Sequence, residues 1–199
     1  MKILIIGATG TIGGSVAREF ASRNEIISAS RNGADIQVDI SSVDSIRAMY
    51  EKVGLVDAVI SATGGAYFGP LPELTPENNE ISIQNKLKGQ INVVLLGLNH
   101  VNDRGSFTLT TGIMMDDPVV GGASGAMANG GITAFVKSAA IEMPRGIRIN
   151  SVSPNLLVES VEKYSKFFPG FEPVSAYRVA QAFRKSVEGA QTGQNYTVY

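Results

Sequence analysis

The sequence predicts an α/β fold, one doubly wound domain over residues 1–199 with a mostly parallel seven-stranded sheet and helices on both faces. Three observations carry this. Short β-type apolar runs alternate with helix-like stretches along the whole chain. The first run, Ile3-Leu4-Ile5-Ile6, passes directly into Gly7-Ala8-Thr9-Gly10-Thr11-Ile12-Gly13-Gly14 and then into the helix-like Ser15–Phe20. Finally, 199 residues at 44% hydrophobic content suit one well-covered core of this size and leave no room for a second domain.

Taken in order, Glu25–Ser30 reads as a second strand and Asp35–Asp39 as a short third one. Only residues 31–34 separate them, too few for a helical crossover, so the helix between strands two and three is missing. Ser41-Ser42-Val43-Asp44 caps a helix to about Lys52, with Ile46, Met49 and Tyr50 at helical spacing. Val56–Ile60 is the fourth strand. After a Gly/Pro-rich loop, Thr75-Pro76-Glu77 opens a long helix to about Val101, proline being favoured in the first turn. Ser106–Thr111 is the fifth strand. The glycine-rich stretch 121–131 leads into a helix through Glu142, and Ile147–Val152 is the sixth strand. A helix at Ser175–Glu188 and a strand at Tyr196–Tyr199 complete the chain.

The strand, glycine loop and helix at the start are the pattern of a phosphate cradle. A pyrophosphate can sit at a helix N-terminus only if the free N–H groups are reachable and no Cβ blocks the approach. Gly7 allows the tight turn, Gly10 the close approach, and Gly13 the packing of helix on strand. A Rossmann-like dinucleotide site is the expectation.

Composition narrows the partners. A net charge of -1 without a dense basic patch argues against nucleic acid. The absence of cysteine removes disulfides and thiolate chemistry, and a single histidine, His100, leaves no histidine-rich metal site, so no metal is expected. The longest apolar stretch, around Val93–Leu96, is far short of the ~20 residues that span a bilayer. With no signal-peptide pattern before the first strand, a cytoplasmic protein acting on a small molecule is expected.

Several segments in the right order resemble the short-chain dehydrogenase/reductase family over nearly the whole chain. Besides the glycine loop, Ser61-Ala62-Thr63-Gly64-Gly65 stands where that family has Asn-Asn-Ala-Gly after the fourth strand, and Pro144-Arg145-Gly146-Ile147-Arg148-Ile149-Asn150-Ser151-Val152-Ser153-Pro154 is close to its sixth-strand signature. The resemblance implies a nicotinamide cofactor held by Gly7, Thr9, Gly10, Thr11, Ile12 and Gly13 at the phosphates. Asp39 and Ile40 would then border the adenine, Ala62, Thr63 and Gly64 the adenosine ribose, and Pro154 to Leu157 the nicotinamide amide. At the end of the second strand, Ser30-Arg31 offers a hydroxyl and a guanidinium where an NAD site has a carboxylate, which points to NADP(H) over NAD(H). Arg31 is otherwise a turn residue before Asn32-Gly33.

The chain departs from the family at its reaction centre. The family's Tyr and Lys, four residues apart on one helix, fall on Gly125 and Asn129, and no Tyr-x-x-x-Lys occurs anywhere. The family's Ser falls at Thr111 or Gly112; Thr111 is a candidate donor to a substrate carbonyl. The family's helix Asn falls on Lys86, a candidate polarising ammonium and otherwise a solvated helix charge. Tyr67 is either a relocated proton donor or a loop anchor, and Asp116 before Asp117-Pro118 a cation ligand or a turn. His100 near a helix end complements the helix dipole. The glycines at 121–131 mean either a late-starting helix behind a lid or a close helix approach. Residues 156–171, with Tyr164, Phe167 and Phe168, are expected to cover the pocket. Family precedent implies a homodimer or homotetramer. Two functions follow: an NADP(H)-dependent oxidoreductase acting on a small carbonyl, alcohol or enone with Lys86 and Thr111 as polarising groups, or a dinucleotide-binding redox sensor or scaffold without turnover.

Overall fold

In the computed structural model, which describes residues 1–199, seven strands form one sheet. They are β1 (Lys2–Ile6), β2 (Glu25–Ser30), β3 (Ile36–Gln37), β4 (Val56–Ser61), β5 (Val101–Thr110), β6 (Arg148–Pro154) and β7 (Asn195–Val198). Their order is β3-β2-β1-β4-β5-β6-β7, and every pair is parallel rather than most of them. Parallel strands are buried on both faces, which is why the first strand is uninterrupted apolar sequence. Ile3 and Ile5 point to one face, packed with Val16 and Phe20 of α1 (Thr11–Phe20) and with Val179 and Phe183 of α7 (Ala176–Glu188), which follows the short α6 (Val161–Tyr164). Leu4 and Ile6 point to the other, where α2 (Val43–Val53), α4 (Gly89–Gly97) and α5 (Ala123–Ala139) contribute Ile46, Val93 and Ile132.

Local chemistry sets the helix starts. Ser42 caps α2 by accepting from the Ser45 N–H, and Thr75 caps α3 (Pro76–Ser82) from Asn78, with Pro76 in the first turn. The expected long helix is divided. Between α3 and α4 residues Ile83–Lys88 wind as a π-helix, and the helix ends at Gly97, followed by a 3₁₀ turn over Leu98–His100. Strand β5 therefore begins at Val101, five residues before the expected Ser106, with a register shift against β4 between Val56 and Ala58.

The third strand is two residues rather than five. Asp35 turns away from it to accept from the Ser28 N–H and hydroxyl, tying the short connection to β2 in place of a crossover helix. Helix α5 stops at Ala139 instead of Glu142, and β7 is Asn195–Val198 rather than Tyr196–Tyr199. The sixth strand, expected over Ile147–Val152, runs to Pro154, with Asn150 donating to Ser186 Oγ and Gln191 O and accepting from the Gln194 N–H. One buried amide thus joins β6 to the end of α7 and to the turn before β7. No helix is long and apolar enough to cross a membrane.

At its C-terminal end β5 outruns its pairing with β4, which ends at Ile60–Thr108. Thr110 would be left with an unpaired N–H and C=O in the core. Gln90, 0% exposed on α4, fills the place of a strand, its Nε2 donating to Thr110 O and its Oε1 accepting from Thr110 N, each at 2.8 Å. Replacing it by an apolar isostere strands both backbone groups. Gln90→Leu is expected to cost about 2–5 kcal/mol, read as a lower denaturant midpoint at unchanged slope.

Candidate active site

The sheet's switch point lies between β1 and β4, where the chain turns from building one half of the sheet to building the other, and ligand crevices of doubly wound sheets open there. A cleft of about 210 Å³ runs over the strand ends at this point, lined by Gly7, Thr9, Gly10, Ser30, Arg31, Asp39, Ile40, Ala62, Thr63 and Gly64 among others. The sequence assigned these ten residues to a dinucleotide, and the fold gathers them in one crevice. Thr11 and Gly13 line neither this cleft nor the larger one beside it. Gly13 is a packing residue, since a Cβ there would lie 2.1 Å from Gly7 O. Gly7 itself has φ +86°, and a Cβ on it would meet Ala62 O at 2.5 Å.

The start of α1 is open. Gly10 is its N-cap, and no side chain caps the first turn, so the N–H groups of residues 11–13 remain for an anionic ligand. Thr9 Oγ1 and Ser30 Oγ share a hydrogen bond of 2.8 Å across the mouth. Arg31 makes no salt bridge, while Asp39, whose carboxyl is held below its usual range by Ser41 and to a lesser degree by Arg31, is occupied by its own loop. An uncapped helix start and a glycine cradle fit a nicotinamide dinucleotide.

Gly64 and Gly65 also belong to a second cavity of about 440 Å³. It holds Ile12, Pro154 and Leu157 from the expected cofactor set, with Lys86, Thr111, Asn129 and the apolar Phe68, Met114, Leu156 and Phe168. Leu156, Leu157, Ser160, Tyr164 and Phe168 come from the segment expected to cover the pocket. Phe68 packs in a tilted arrangement against Phe167, at 5.1 Å between ring centres, so the cover is held by aromatic contact.

Lys86 is the only charged side chain lining this cavity. It belongs to the π-helical segment, makes no salt bridge, and donates only to Thr111 O, at 3.3 Å. Burial pulls its ammonium down from 10.5 to about 8. The solvated-charge reading describes Lys88 instead, which faces outward to Glu80.

Thr111 does not stand as expected. Its hydroxyl lies 3.2 Å from Val152 O and 3.1 Å from Asn195 Oδ1, so its single proton is committed to β6 and β7. Thr111 instead acts through its carbonyl, which holds Lys86. The next carbonyl, Gly112 O, accepts from Asn129 Nδ2 at 3.2 Å, and Asn129 Oδ1 is left buried without a partner.

Comparisons with known proteins identify the family. A family model described as Enoyl-(Acyl carrier protein) reductase matches residues 8–194. The chain belongs to the short-chain dehydrogenase/reductase family. Hydroxynaphthalene reductase arp2 of Aspergillus fumigatus is 27% identical over 176 residues, covering 76% of this chain and 64% of that protein, so the chain spans less than two thirds of that relative. The crystal structure of the protein lin1944 from Listeria innocua is 63% identical, with complete coverage of both chains and a TM-score of 0.99. A small-chain dehydrogenase solved with NADPH shares the fold at a TM-score of 0.88 and 24% identity, covering 100% of this chain and 96% of that one.

Within this short-chain dehydrogenase/reductase, the helix face that carries Gly125 and Asn129 is closely packed. A Cβ on Gly125 would lie 2.9 Å from Met114 Cε, so a methionine takes the space that a larger side chain at 125 would need. Gly131 lets Leu87 approach, a Cβ there meeting Leu87 Cδ1 at 2.8 Å, which answers the glycine stretch with close helix packing. Tyr67 lines neither cleft and packs on Gly69, as a loop anchor does. Tyr199 donates to Asp116 Oδ2 at 2.6 Å, which accounts for Asp116, and burial together with that carboxylate pushes the phenol up to about 12. His100 stacks on Tyr50 at 4.9 Å. Sequence reasoning missed Met114, which long-range packing rather than a motif brings to the cavity.

An ammonium depressed to about 8 in the folded chain binds its proton less tightly than the unfolded chain at 10.5. Stability therefore rises with pH between these values and is lower below about 8, where the folded protein carries the buried charge. Lys86→Met is expected to be more stable than the parent chain at pH 7, with the gap narrowing toward pH ~10.5, measured by denaturant unfolding at the two ends of that window.

Proposed function

We propose that this chain is an NADP(H)-dependent oxidoreductase that exchanges a hydride with a small carbonyl, alcohol or enone-like substrate at the 440 Å³ cavity. The observation that carries the reading is the placement of Lys86, the one charge in an apolar cavity that shares Gly64 and Gly65 with the glycine-loop cleft. The cofactor's contribution would be hydride chemistry. The chain's own contribution is to bind, to orient and to hold a proton. Gly7, Thr9 and Gly10 would take the phosphates, Asp39 and Ile40 the adenine side, Ala62, Thr63 and Gly64 the ribose, and Pro154 and Leu157 the nicotinamide side. Lys86 Nζ supplies a donor and a proton at the substrate oxygen, held in position by Thr111 O. Phe68, Leu156 and Phe168 keep water from the reacting centre.

Arg31 and Ser30 support NADP(H) over NAD(H), because the guanidinium lines the cleft beside a hydroxyl and is not held in a salt bridge. The NADPH bound in the structurally similar small-chain dehydrogenase is consistent with that choice. A homodimer or homotetramer that acts in the cytoplasm remains part of the proposal. Ile81, Leu95 and Met127, exposed on α3, α4 and α5, are apolar side chains that such an assembly would cover.

A second reading, a dinucleotide-binding sensor or scaffold, draws on two observations: Met114 fills the space at Gly125, and the Thr111 hydroxyl faces away. Incubation with NADPH and a panel of quinones, aldehydes, ketones and enones separates the two. Saturable NADPH oxidation that falls ~100-fold or more in Lys86→Met supports the enzyme; tight binding without oxidation across the panel supports the sensor. In the reducing direction turnover should fall as pH rises through about 8, as Lys86 loses its proton. Lys86→Arg should abolish that limb. Arg31→Ala should weaken NADPH binding ~10-fold or more while leaving NADH binding unchanged, by titration calorimetry.

A further inference from the structure

Lys86 combines four features that together suit a nucleophilic amine. Its nitrogen has one hydrogen-bond partner, a neutral carbonyl at the long distance of 3.3 Å. No carboxylate lines its cavity, so nothing there holds it in the charged form. Its stem is pinned, because Gly64 lies so close that a Cβ there would stand 3.0 Å from Lys86 Cγ and 3.1 Å from its Cα. And the open cavity before it is lined on one half by apolar and aromatic side chains, with Ser160 and Tyr164 on the covering segment.

From this geometry we infer that Lys86 is a covalent capture site for small apolar or aromatic aldehydes, forming an imine through its side-chain amine. The amine nitrogen adds to the carbonyl carbon, and the C=O π bond breaks to give a carbinolamine, the nitrogen's proton passing to the oxygen. The C–O bond then breaks, water leaves with a second proton from nitrogen, and the C=N bond forms. Amine plus aldehyde gives imine plus water, with no change of oxidation state. The apolar walls favour the step that expels water, and a cavity hydroxyl can relay the proton to the departing oxygen. The depressed affinity of Lys86 for its proton raises the free-amine fraction at neutral pH relative to an exposed lysine.

The inference is independent of cofactor-dependent turnover and is tested without cofactor. The protein is incubated with benzaldehyde at pH 7, reduced with borohydride, and mapped by peptide mass spectrometry. One benzyl group per chain is expected at Lys86, labelled on the order of 100-fold faster than the exposed Lys88. Lys86→Met should lose the fast label and Lys88→Met should keep it, both retaining the parent's circular dichroism. Equal labelling of Lys86 and Lys88 in the parent chain, or a fast label that survives in Lys86→Met, overturns the inference. The parent's own map decides even where a variant fails to fold. Absence of the label together with intact NADPH oxidation would overturn this inference alone, whereas a specific label without any NADPH oxidation would sustain it and count against the oxidoreductase reading.

Discussion

The site depends on how the end of β5 is satisfied. Beyond its last pairing with β4 the strand still carries backbone groups that face the interior, and each unpaired group there costs about 1–3 kcal/mol. Three side chains, from α4, the π-helical segment and α5, meet them in succession: Gln90 takes Thr110, Lys86 takes Thr111 O, and Asn129 takes Gly112 O. Gln90 is the strongest of the three, with two hydrogen bonds at 2.8 Å, and it fixes the height of α4 against the sheet. Lys86, four residues earlier, is then delivered to the next carbonyl. The π-helical turn supplies the extra residue between α3 and α4, a feature that recurs at functional positions because it re-aims side chains.

An isolated ammonium in an apolar cavity is an expensive way to satisfy one carbonyl. A neutral donor would do the same without desolvating a charge, as Asn129 does on the neighbouring carbonyl. The charge therefore argues for a role beyond holding the strand end, since perturbed ionisable groups in clefts gather where chemistry is done. The same holds for Asn129 Oδ1. Its Nδ2 is required by Gly112 O, which leaves the oxygen buried without a donor, a cost that core packing alone does not explain.

Most of the fold could be read from the sequence because it is written in local patterns. Ile3–Ile6 is apolar at every position since both faces of β1 are covered, and Ser42 and Thr75 start their helices by capping chemistry that depends on a few neighbouring residues. The cradle was legible for the same reason: Gly7, Gly10 and Gly13 act within one strand-to-helix turn. The failures are non-local. The early start of β5 at Val101 depends on pairing with β4, and the direction of the Thr111 hydroxyl depends on Val152 and on Asn195 of β7, 84 residues away. Motif reading assigns Thr111 a residue type and cannot assign it a rotamer.

The two clefts are joined through Gly64, whose packing links the glycine-rich loop after β4 to the stem of Lys86. Gly64 closes the glycine-rich segment after β4 with φ +121°, a conformation that side chains rarely adopt, and it presents its bare Cα to the stem of Lys86. Any Cβ there would push on Lys86 Cγ and Cα and lift the ammonium from Thr111 O. The loop that borders the expected ribose therefore also sets where the one charge of the cavity stands. Under the proposed function, a ligand that shifts this loop would move Lys86 with it, so occupancy of the glycine-loop cleft and the position of the Lys86 nitrogen would be coupled by direct packing across a single residue.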